Sequence, residues 1–117
     1  MLEINIKTNG PATIVEVAGE VDLYSSPELR KALLELTGKE ILNIIINLEN
    51  VSYMDSSGVA TLVEGLQHST SYSGKFILTN IRDGVKNVFE LSRLDKVFEI
   101  YDSLEIALKH IDSYGTG

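Results

Sequence analysis

Three consecutive isoleucines lie within the segment Leu42-Asn43-Ile44-Ile45-Ile46-Asn47-Leu48, near the middle of the chain. Successive side chains of a β-strand point to opposite faces of the sheet, so adjacent apolar residues are all buried only where both faces are covered. Such strands are typical of parallel sheets, because the connections between parallel strands place helices over the sheet. The segment therefore predicts an inner strand of an α/β domain.

The rest of the chain predicts further strands and helices around this one. Leu2, Ile4 and Ile6 alternate with polar residues, which predicts a half-buried strand. A turn at Asn9-Gly10-Pro11 predicts that this strand pairs antiparallel with the next. Four later segments show apolar residues at helical spacing. The predicted strands are residues 2–7, 13–18, 42–48, 75–80 and 97–101, and a helix follows each strand from the second onward.

The predicted element order is β-β-α-β-α-β-α-β-α, in a single α/β domain with a mixed five-stranded sheet and about four helices. Right-handed crossovers are expected between strands two to five. Residues 1–112 are assigned to this domain, and residues 113–117 to a flexible C-terminal tail. Polar residues mark the expected helix starts: Ser26 as cap, Pro27 as first residue and Ser25 with Glu28 at capping-box spacing for the first helix, Asp83 as cap of the third, and Asp102 with Glu105 as a capping box for the fourth.

The composition limits the classes of function. The chain has 117 residues, enough for one domain, and 44% of them are hydrophobic, which permits one sizeable core. Its formal net charge of −7 argues against nucleic acid or an anionic membrane surface as partner, and suits a protein with a basic patch. The absence of cysteine excludes disulfides, thiol catalysis and cysteine-based zinc sites. We find no signal peptide and no apolar run near the ~18 residues that span a bilayer, so a cytoplasmic protein is expected.

Two loops are expected at the functional edge of this sheet. In open α/β sheets, ligands bind beyond the carboxyl ends of the strands. Gly19-Glu20-Val21-Asp22 follows strand two there, and Met54-Asp55-Ser56-Ser57-Gly58 follows strand three. The two serines fall in the first turn of a helix, where backbone N–H groups lack intrahelical partners and favour negative charge. From the residues alone, this segment is either a helix start capped by Ser57 or Asp55, or a surface that accepts a phosphate beside an exposed Met54.

Serine catalysis is a poor match to these residues. The segment lacks the Gly-x-Ser-x-Gly frame of a nucleophile elbow, and a catalytic triad needs a histidine. His68 lies about 18 Å from Ser56 by helix rise. His110 lies off the apolar stripe of the last helix. Both histidines are therefore expected to be solvated on helix faces.

A metal site and a nucleotide site are two further alternatives for these loops. Glu20, Asp22 and Asp55 could converge to hold Mg²⁺, or act as the acidic cluster of a phospho-aspartate receiver. Capping and solvated roles explain these residues more simply, and the receiver's lysine is missing because strand four ends in Thr79-Asn80. No glycine-rich phosphate loop of either usual spacing occurs.

The chain resembles the anti-sigma-factor antagonists, the bacterial single-domain STAS proteins. The resemblance spans Ile4 to about Ile111. It rests on the element order, on Gly19-Glu20-Val21-Asp22, and on Ile45-Ile46-Asn47-Leu48 followed by Val51-Ser52-Tyr53-Met54-Asp55-Ser56-Ser57-Gly58-Val59. Gly58-Val59-Ala60 departs mildly from the family's frequent Gly-Leu-Gly.

This resemblance implies a partner switch. The unphosphorylated protein would bind an anti-sigma factor that is also a serine kinase, and so release the sigma factor. The kinase would use ATP to phosphorylate Ser56, the complex would dissociate, and a serine phosphatase would reset the protein. The resemblance implies no catalytic residue, cofactor or metal in this chain. The expected partner-binding residues are Glu20, Asp22, Met54, Asp55, Ser57 and Gly58.

Two other functions stay open. The same module could act as a scaffold or ligand sensor in another signalling complex. Alternatively, Asp22 and Asp55 could support magnesium-dependent chemistry. The sequence indicates neither the oligomeric state nor the sigma factor and pathway.

Overall fold

The isoleucine-rich segment forms the central strand of a five-stranded sheet whose strands lie in chain order. The computed structural model describes the backbone of residues 2–115 and the side chains of residues 2–111. The predicted element order is confirmed. The elements are β1 (Glu3–Asn9), β2 (Ala12–Val21), α1 (Ser26–Gly38), β3 (Asn43–Met54), α2 (Ser56–Ser71), β4 (Lys75–Thr79), α3 (Asp83–Leu91), β5 (Glu99–Tyr101) and α4 (Leu104–Gly115), with a 3₁₀ turn at Leu94–Lys96 before β5.

The sheet is mixed, as predicted. β1 runs antiparallel to β2, whereas the β2–β3, β3–β4 and β4–β5 pairs are parallel. Parallel neighbours require crossover connections, which α1, α2 and α3 supply. The carboxyl ends of β2 to β5 consequently lie at one edge of the sheet, where the two loops singled out in the sequence emerge.

Both faces of β3 are covered by helices. Ile44 and Ile46 pack in the larger core, against side chains of α1, α2 and α3. Ile45 faces the opposite side and packs with Ala107 and Ile111 of α4. All three isoleucines have 0% of their surface exposed. Burying each of them contributes about 1.5–3 kcal/mol, so this strand anchors both layers of the domain.

β3 extends to Met54, beyond the predicted segment. The prediction ended too early because the apolar residues in the later part of the strand do not alternate regularly. Leu48, Val51 and Met54 all pack in the larger core although they are three residues apart. The pairing with β2 shifts register twice over this stretch, and each shift adds one residue to β3. An added residue reverses which side chains of a strand face the core. One added residue between Leu48 and Val51, and another between Val51 and Met54, therefore leave all three side chains on the same face.

β5 begins two residues later than predicted. The N–H groups of Val97 and Phe98 both donate to the carbonyl of Leu94, so the chain is still turning there. The Phe98 ring packs edge-on against Phe89, with ring centroids 5.7 Å apart. Pairing with β4 starts only at Glu99. Phe98 therefore belongs to a packed turn and not to a strand, and Val97 before it is 52% exposed.

The starts of α1 and α3 differ from the predicted ones. Ser26 is a buried helical residue, and Ser25 occupies the cap position without a side-chain bond to the helix. The Ser25 hydroxyl instead donates to the carbonyl of Glu20 at 2.7 Å. In α3, Arg82 is at the cap position and Asp83 is the first helical residue, where its charge favours the helix dipole.

The last helix also begins and ends differently. The Ser103 hydroxyl accepts a hydrogen bond from the N–H of Ile106 at 3.2 Å, so the predicted capping box of Asp102 and Glu105 is wrong. The helical backbone extends to Gly115, three residues into the segment expected to form a tail. Residues 116 and 117, the remainder of that segment, lie outside the described residues.

The helices are short, and each buries one stripe. α2 has 16 residues, α1 has 13 and α4 has 12. In α3, Val85 and Phe89 are buried in the larger core, and the partly buried Val88 packs against it. Within residues 2–115, no helix has both the length and the apolar character needed to cross a membrane.

Two helical glycines provide a test of the packing between α2 and the sheet. A Cβ atom on Gly65 would lie 2.8 Å from Cζ of Phe76 and 3.2 Å from Cδ1 of Leu33, whereas one on Gly84 would have no heavy atom within 4 Å. Alanine favours a helix by up to about 1 kcal/mol over glycine, and overpacking costs about 1–3 kcal/mol. We expect Gly65→Ala to lower the free energy of unfolding by about 1 kcal/mol, and Gly84→Ala to raise it slightly, in urea titrations. A stabilising effect of both substitutions would contradict close packing of α2 on β4.

Candidate functional site

The two loops meet because the β2–β3 pairing continues to the ends of both strands. Val21 is paired with Met54, and the N–H of Asp55 donates to the carbonyl of Val21 at 3.1 Å. The loop after β2 and the first turn of α2 are thereby adjacent, as predicted from the sequence. We call Asp22, Asp55, Ser56 and Ser57, which lie at this junction, the serine site.

Asp55 is the N-cap of α2. Its Oδ1 accepts hydrogen bonds from the backbone N–H of Ser57 at 2.9 Å and of Gly58 at 3.4 Å, and from the Ser57 hydroxyl at 2.5 Å. The Ser57 hydroxyl, followed by backbone N–H groups that include that of Leu23, holds the pKa of the Asp55 carboxyl below its usual value. Of the two caps that the sequence left open, Asp55 is confirmed and Ser57 is wrong.

The two serines differ in what their hydroxyls contact. Ser57 is half-buried and its hydroxyl is held by the Asp55 carboxylate. Ser56 is exposed, and within the described residues its hydroxyl has no hydrogen-bond partner. Of the two hydroxyls, that of Ser56 is therefore the one that is accessible without breaking an existing contact.

Asp22 shapes the loop between β2 and α1. Its Oδ1 accepts hydrogen bonds from the N–H groups of Tyr24 and Ser25, each at 2.9 Å. The backbone bond from Ser25, together with those from its side chain and from Tyr24, lowers the pKa of the Asp22 carboxyl, although the negative charge of Asp55 acts in the opposite direction. The site therefore presents two carboxylates that stay ionised at neutral pH.

Met54 and Gly58 lie beneath the site and do not form part of its surface. Met54 is only 4% exposed, so the expectation of an exposed Met54 is wrong. A Cβ atom on Gly58 would lie 2.7 Å from both Cγ of Met54 and Cγ1 of Val21, which shows how closely α2 starts against the strands. Tyr53, the neighbour of Met54 on the other face of β3, is the exposed apolar residue instead.

An apolar groove that the sequence did not predict begins at Ser56. It has a volume of about 360 Å³ and lies between α2 and the end of α3. Val59 and Val63 belong to the apolar stripe of α2; Val59 is buried, Val63 is half-buried, and both line the groove. The other lining residues are Ser56, Ala60, Val88, Ser92 and Leu94.

Exposed apolar residues of the β2–α1 loop were also missed. Leu23 and Tyr24 stand in solvent beside Asp22 and Asp55. The available signal was two large apolar residues placed between a turn-forming aspartate and a helix start.

The acidic residues do not form a metal centre. Within the part of the chain that the structure describes, no three histidine or acidic side chains are grouped so as to hold a metal ion. The carboxylates of Asp22 and Asp55 are instead engaged by N–H donors. His68 lies 3.7 Å from the carboxylate of Glu64. His68 is exposed, as expected, whereas His110 is half-buried: it lies 3.5 Å from the carboxylate of Glu99 and packs against Tyr101.

The cap predicts how the stability of the protein depends on pH. The lowered pKa of Asp55 means that the unfolded state binds more protons than the folded state around the carboxylate pKa range. This stabilisation is present above about pH 5 and is lost as the pH falls through the pKa of the folded state. Asp55→Asn keeps an acceptor oxygen but cannot titrate, so we expect its free energy of unfolding to fall less steeply than that of the wild type between about pH 5 and pH 3. Asp55→Ala should lower the free energy of unfolding by about 1 kcal/mol at neutral pH, as measured by urea titration. An unchanged free energy of unfolding would contradict the role of Asp55 as cap.

Comparison with known proteins supports the resemblance seen in the sequence. A family model described as the STAS domain matches residues 3–107. The anti-sigma-B factor antagonist of Staphylococcus aureus is 30% identical over 105 residues, which cover 90% of this chain and 97% of that protein.

Solved structures show the same fold. An anti-sigma factor antagonist from Mycobacterium paratuberculosis superposes with a TM-score of 0.88 at 22% identity, covering 96% of this chain and 95% of that one. The Bacillus cell fate determinant SpoIIAA in its phosphorylated form superposes with a TM-score of 0.73 at 22% identity, covering 93% of this chain and 99% of that one. The chain belongs to the STAS domain family, among the single-domain anti-sigma-factor antagonists.

Proposed function

We propose that this protein is a phosphorylatable binding module and not an enzyme. Its unphosphorylated form binds an anti-sigma factor with serine kinase activity and so releases a sigma factor in the cytoplasm. Phosphorylation of Ser56 ends the binding, and a serine phosphatase restores it. The observation that carries this proposal is the contrast between the exposed, unpartnered hydroxyl of Ser56 and the Ser57 hydroxyl, which Asp55 holds. The names of the relatives support it, since they are anti-sigma factor antagonists.

In this reaction the chain contributes only the acceptor hydroxyl. The kinase transfers the terminal phosphoryl group of ATP to Oγ of Ser56: a new O–P bond forms, the bond from that phosphorus to the bridging oxygen breaks, and ADP leaves. A base on the kinase takes the hydroxyl proton. This chain supplies an accessible hydroxyl on the rigid first turn of α2. The phosphatase hydrolyses the same O–P bond and returns the free serine.

A phosphate on Ser56 is compatible with the fold. The group lies at the start of a helix, where negative charge is favoured by about 0.3–1 kcal/mol at an exposed position. The phosphorylated form of SpoIIAA, which has the same fold, supports this compatibility. We therefore assign the effect of phosphorylation to the docking surface and not to unfolding.

The docking surface carries charge and apolar area side by side. The acidic members are Glu20, Asp22 and Asp55, and the apolar groove opens at Ser56. Such a surface suits a partner with basic residues around an apolar contact. A phosphate adds about 1.5–2 negative charges at the mouth of the groove, where docking would strip its water. A loss of ~4 kcal/mol, which these effects can supply, weakens a complex about a thousandfold.

Substitutions at the two serines test this assignment. Ser56→Asp should keep the fold and weaken binding to the purified anti-sigma kinase at least about a hundredfold, because it places a fixed charge at the docking surface. Ser56→Ala should bind like the wild type and stay bound in the presence of ATP. Ser57→Ala is the matched control and should still be phosphorylated. Calorimetry with and without ATP measures all three, and wild-type affinity in Ser56→Asp would contradict the electrostatic switch.

A direct assignment of the modified residue comes from mass spectrometry. The protein is incubated with ATP and an extract of the source organism, and the phosphate is then mapped. Phosphate on Ser56 supports the proposal. Phosphate elsewhere, or none, would favour the alternative of a scaffold or ligand sensor, for which the groove beside Ser56 offers an apolar binding volume.

A further inference from the structure

Two large apolar side chains stand in solvent at the tip of the β2–α1 loop. Leu23 is 67% exposed and Tyr24 is 88% exposed. Single exposed apolar residues are common on protein surfaces, but two in succession on a short loop beside a functional site form a patch. Tyr53, 49% exposed, is paired with Glu20, which leads into this loop. We call Leu23, Tyr24 and Tyr53 the anchor patch.

The loop that carries the patch is held in place by hydrogen bonds. The N–H groups of Tyr24 and Ser25 both donate to Asp22 Oδ1, each at 2.9 Å. The Ser25 hydroxyl ties the end of the loop to the carbonyl of Glu20 at 2.7 Å. The apolar side chains are therefore displayed on a fixed backbone, which lowers the entropy lost when they dock.

The surroundings of the patch indicate the chemistry of its partner. Neither residues 19–26 nor residues 49–60 contain a lysine or an arginine, although Arg82 reaches the start of the second segment, where its Nε donates to the carbonyl of Glu49 at 2.9 Å. The charged neighbours are Glu20, Asp22 and Asp55, and the whole chain has a net charge of −7. An apolar centre with an acidic rim is complementary to an apolar pocket with a basic rim. An anionic membrane is repelled by the same charges.

We propose that the anchor patch inserts into an apolar pocket with a basic rim on the anti-sigma kinase, and that Leu23 and Tyr24 supply much of the affinity of the complex. This inference rests on the proposed function and extends it, because it separates the residues that hold the partner from Ser56, which switches it. Aromatic residues on rigid supports are the usual centres of binding energy in protein interfaces. No hydrogen bond of the described residues joins the patch to the Ser56 hydroxyl, so the patch is expected to act on binding and to leave the chemical step alone.

Alanine substitutions measure the contribution of the patch. In the Ser56→Ala background, which cannot be phosphorylated, Tyr24→Ala should raise the Kd for the purified anti-sigma kinase of the source organism about thirtyfold, and Leu23→Ala should raise it to a lesser degree. With Ser56 present, Tyr24→Ala should raise KM for phosphorylation and leave kcat unchanged, because an anchor binds ground state and transition state equally. Tyr24→Phe keeps the ring and should restore most of the affinity. Leu42→Ala is the matched control, since Leu42 is 58% exposed and precedes the amino end of β3, at the opposite edge of the sheet.

The outcomes separate this inference from the proposed function. Unchanged Kd and KM in Tyr24→Ala, with normal phosphorylation of Ser56, would overturn the anchor patch and leave the partner switch intact. A lower kcat at unchanged KM would place Tyr24 in positioning Ser56 and would also overturn it. Self-association of the wild type that Tyr24→Ala abolishes would assign the patch to a second copy of this chain. A kinase that neither binds nor phosphorylates the wild type would remove the proposed function, and the anchor proposal with it.

Discussion

The parallel pairing of β2 with β3 is the constraint on which the site depends. It begins between two strands buried by the core and continues until Val21 meets Met54. One further hydrogen bond, from the N–H of Asp55 to the carbonyl of Val21, places the cap of α2 against the end of β2. Asp55 then accepts from the N–H groups of Ser57 and Gly58 in its own helix. A change in this register would move both carboxylates and Ser56 apart, since a shift of one residue turns every side chain of a strand to the other face.

The regular parts of the fold were predictable because their periodicity is regular. Three adjacent isoleucines and four apolar helical stripes indicated the layers, the mixed sheet and the edge at which the loops meet. The burial of Met54 was not predictable in this way. Leu48, Val51 and Met54 are spaced by three, which matches no strand alternation, and only the two register shifts against β2 make these positions equivalent. Such shifts arise from tertiary pairing and leave little trace in a single sequence.

The helix caps show a second limit of prediction from sequence. At the serine site, Asp55 and Ser57 both have oxygens able to accept from the first N–H groups, and the charged one takes them while the Ser57 hydroxyl donates to it. At α1, the Ser25 hydroxyl is drawn away by the carbonyl of Glu20. The choice among neighbouring acceptors depends on what else lies within reach in three dimensions. The sequence therefore identified the region of each cap more reliably than the capping atom.

The cap also explains why a switch at Ser56 would act on the surface. Asp55 already occupies the N–H groups of Ser57 and Gly58, so a phosphate on Ser56 finds few free donors in the first turn of α2 and stays directed toward solvent. Its charge is then felt by whatever docks there, beside two carboxylates that are ionised at neutral pH. The anchor patch lies on the same surface, in a loop whose backbone is fixed by hydrogen bonds of Asp22 and Ser25. The side chains of Leu23 and Tyr24, by contrast, are exposed and contribute little to folding. The fold therefore does not require particular side chains at these two positions, so they can be selected for partner recognition. It does hold their backbone at a set position relative to Ser56.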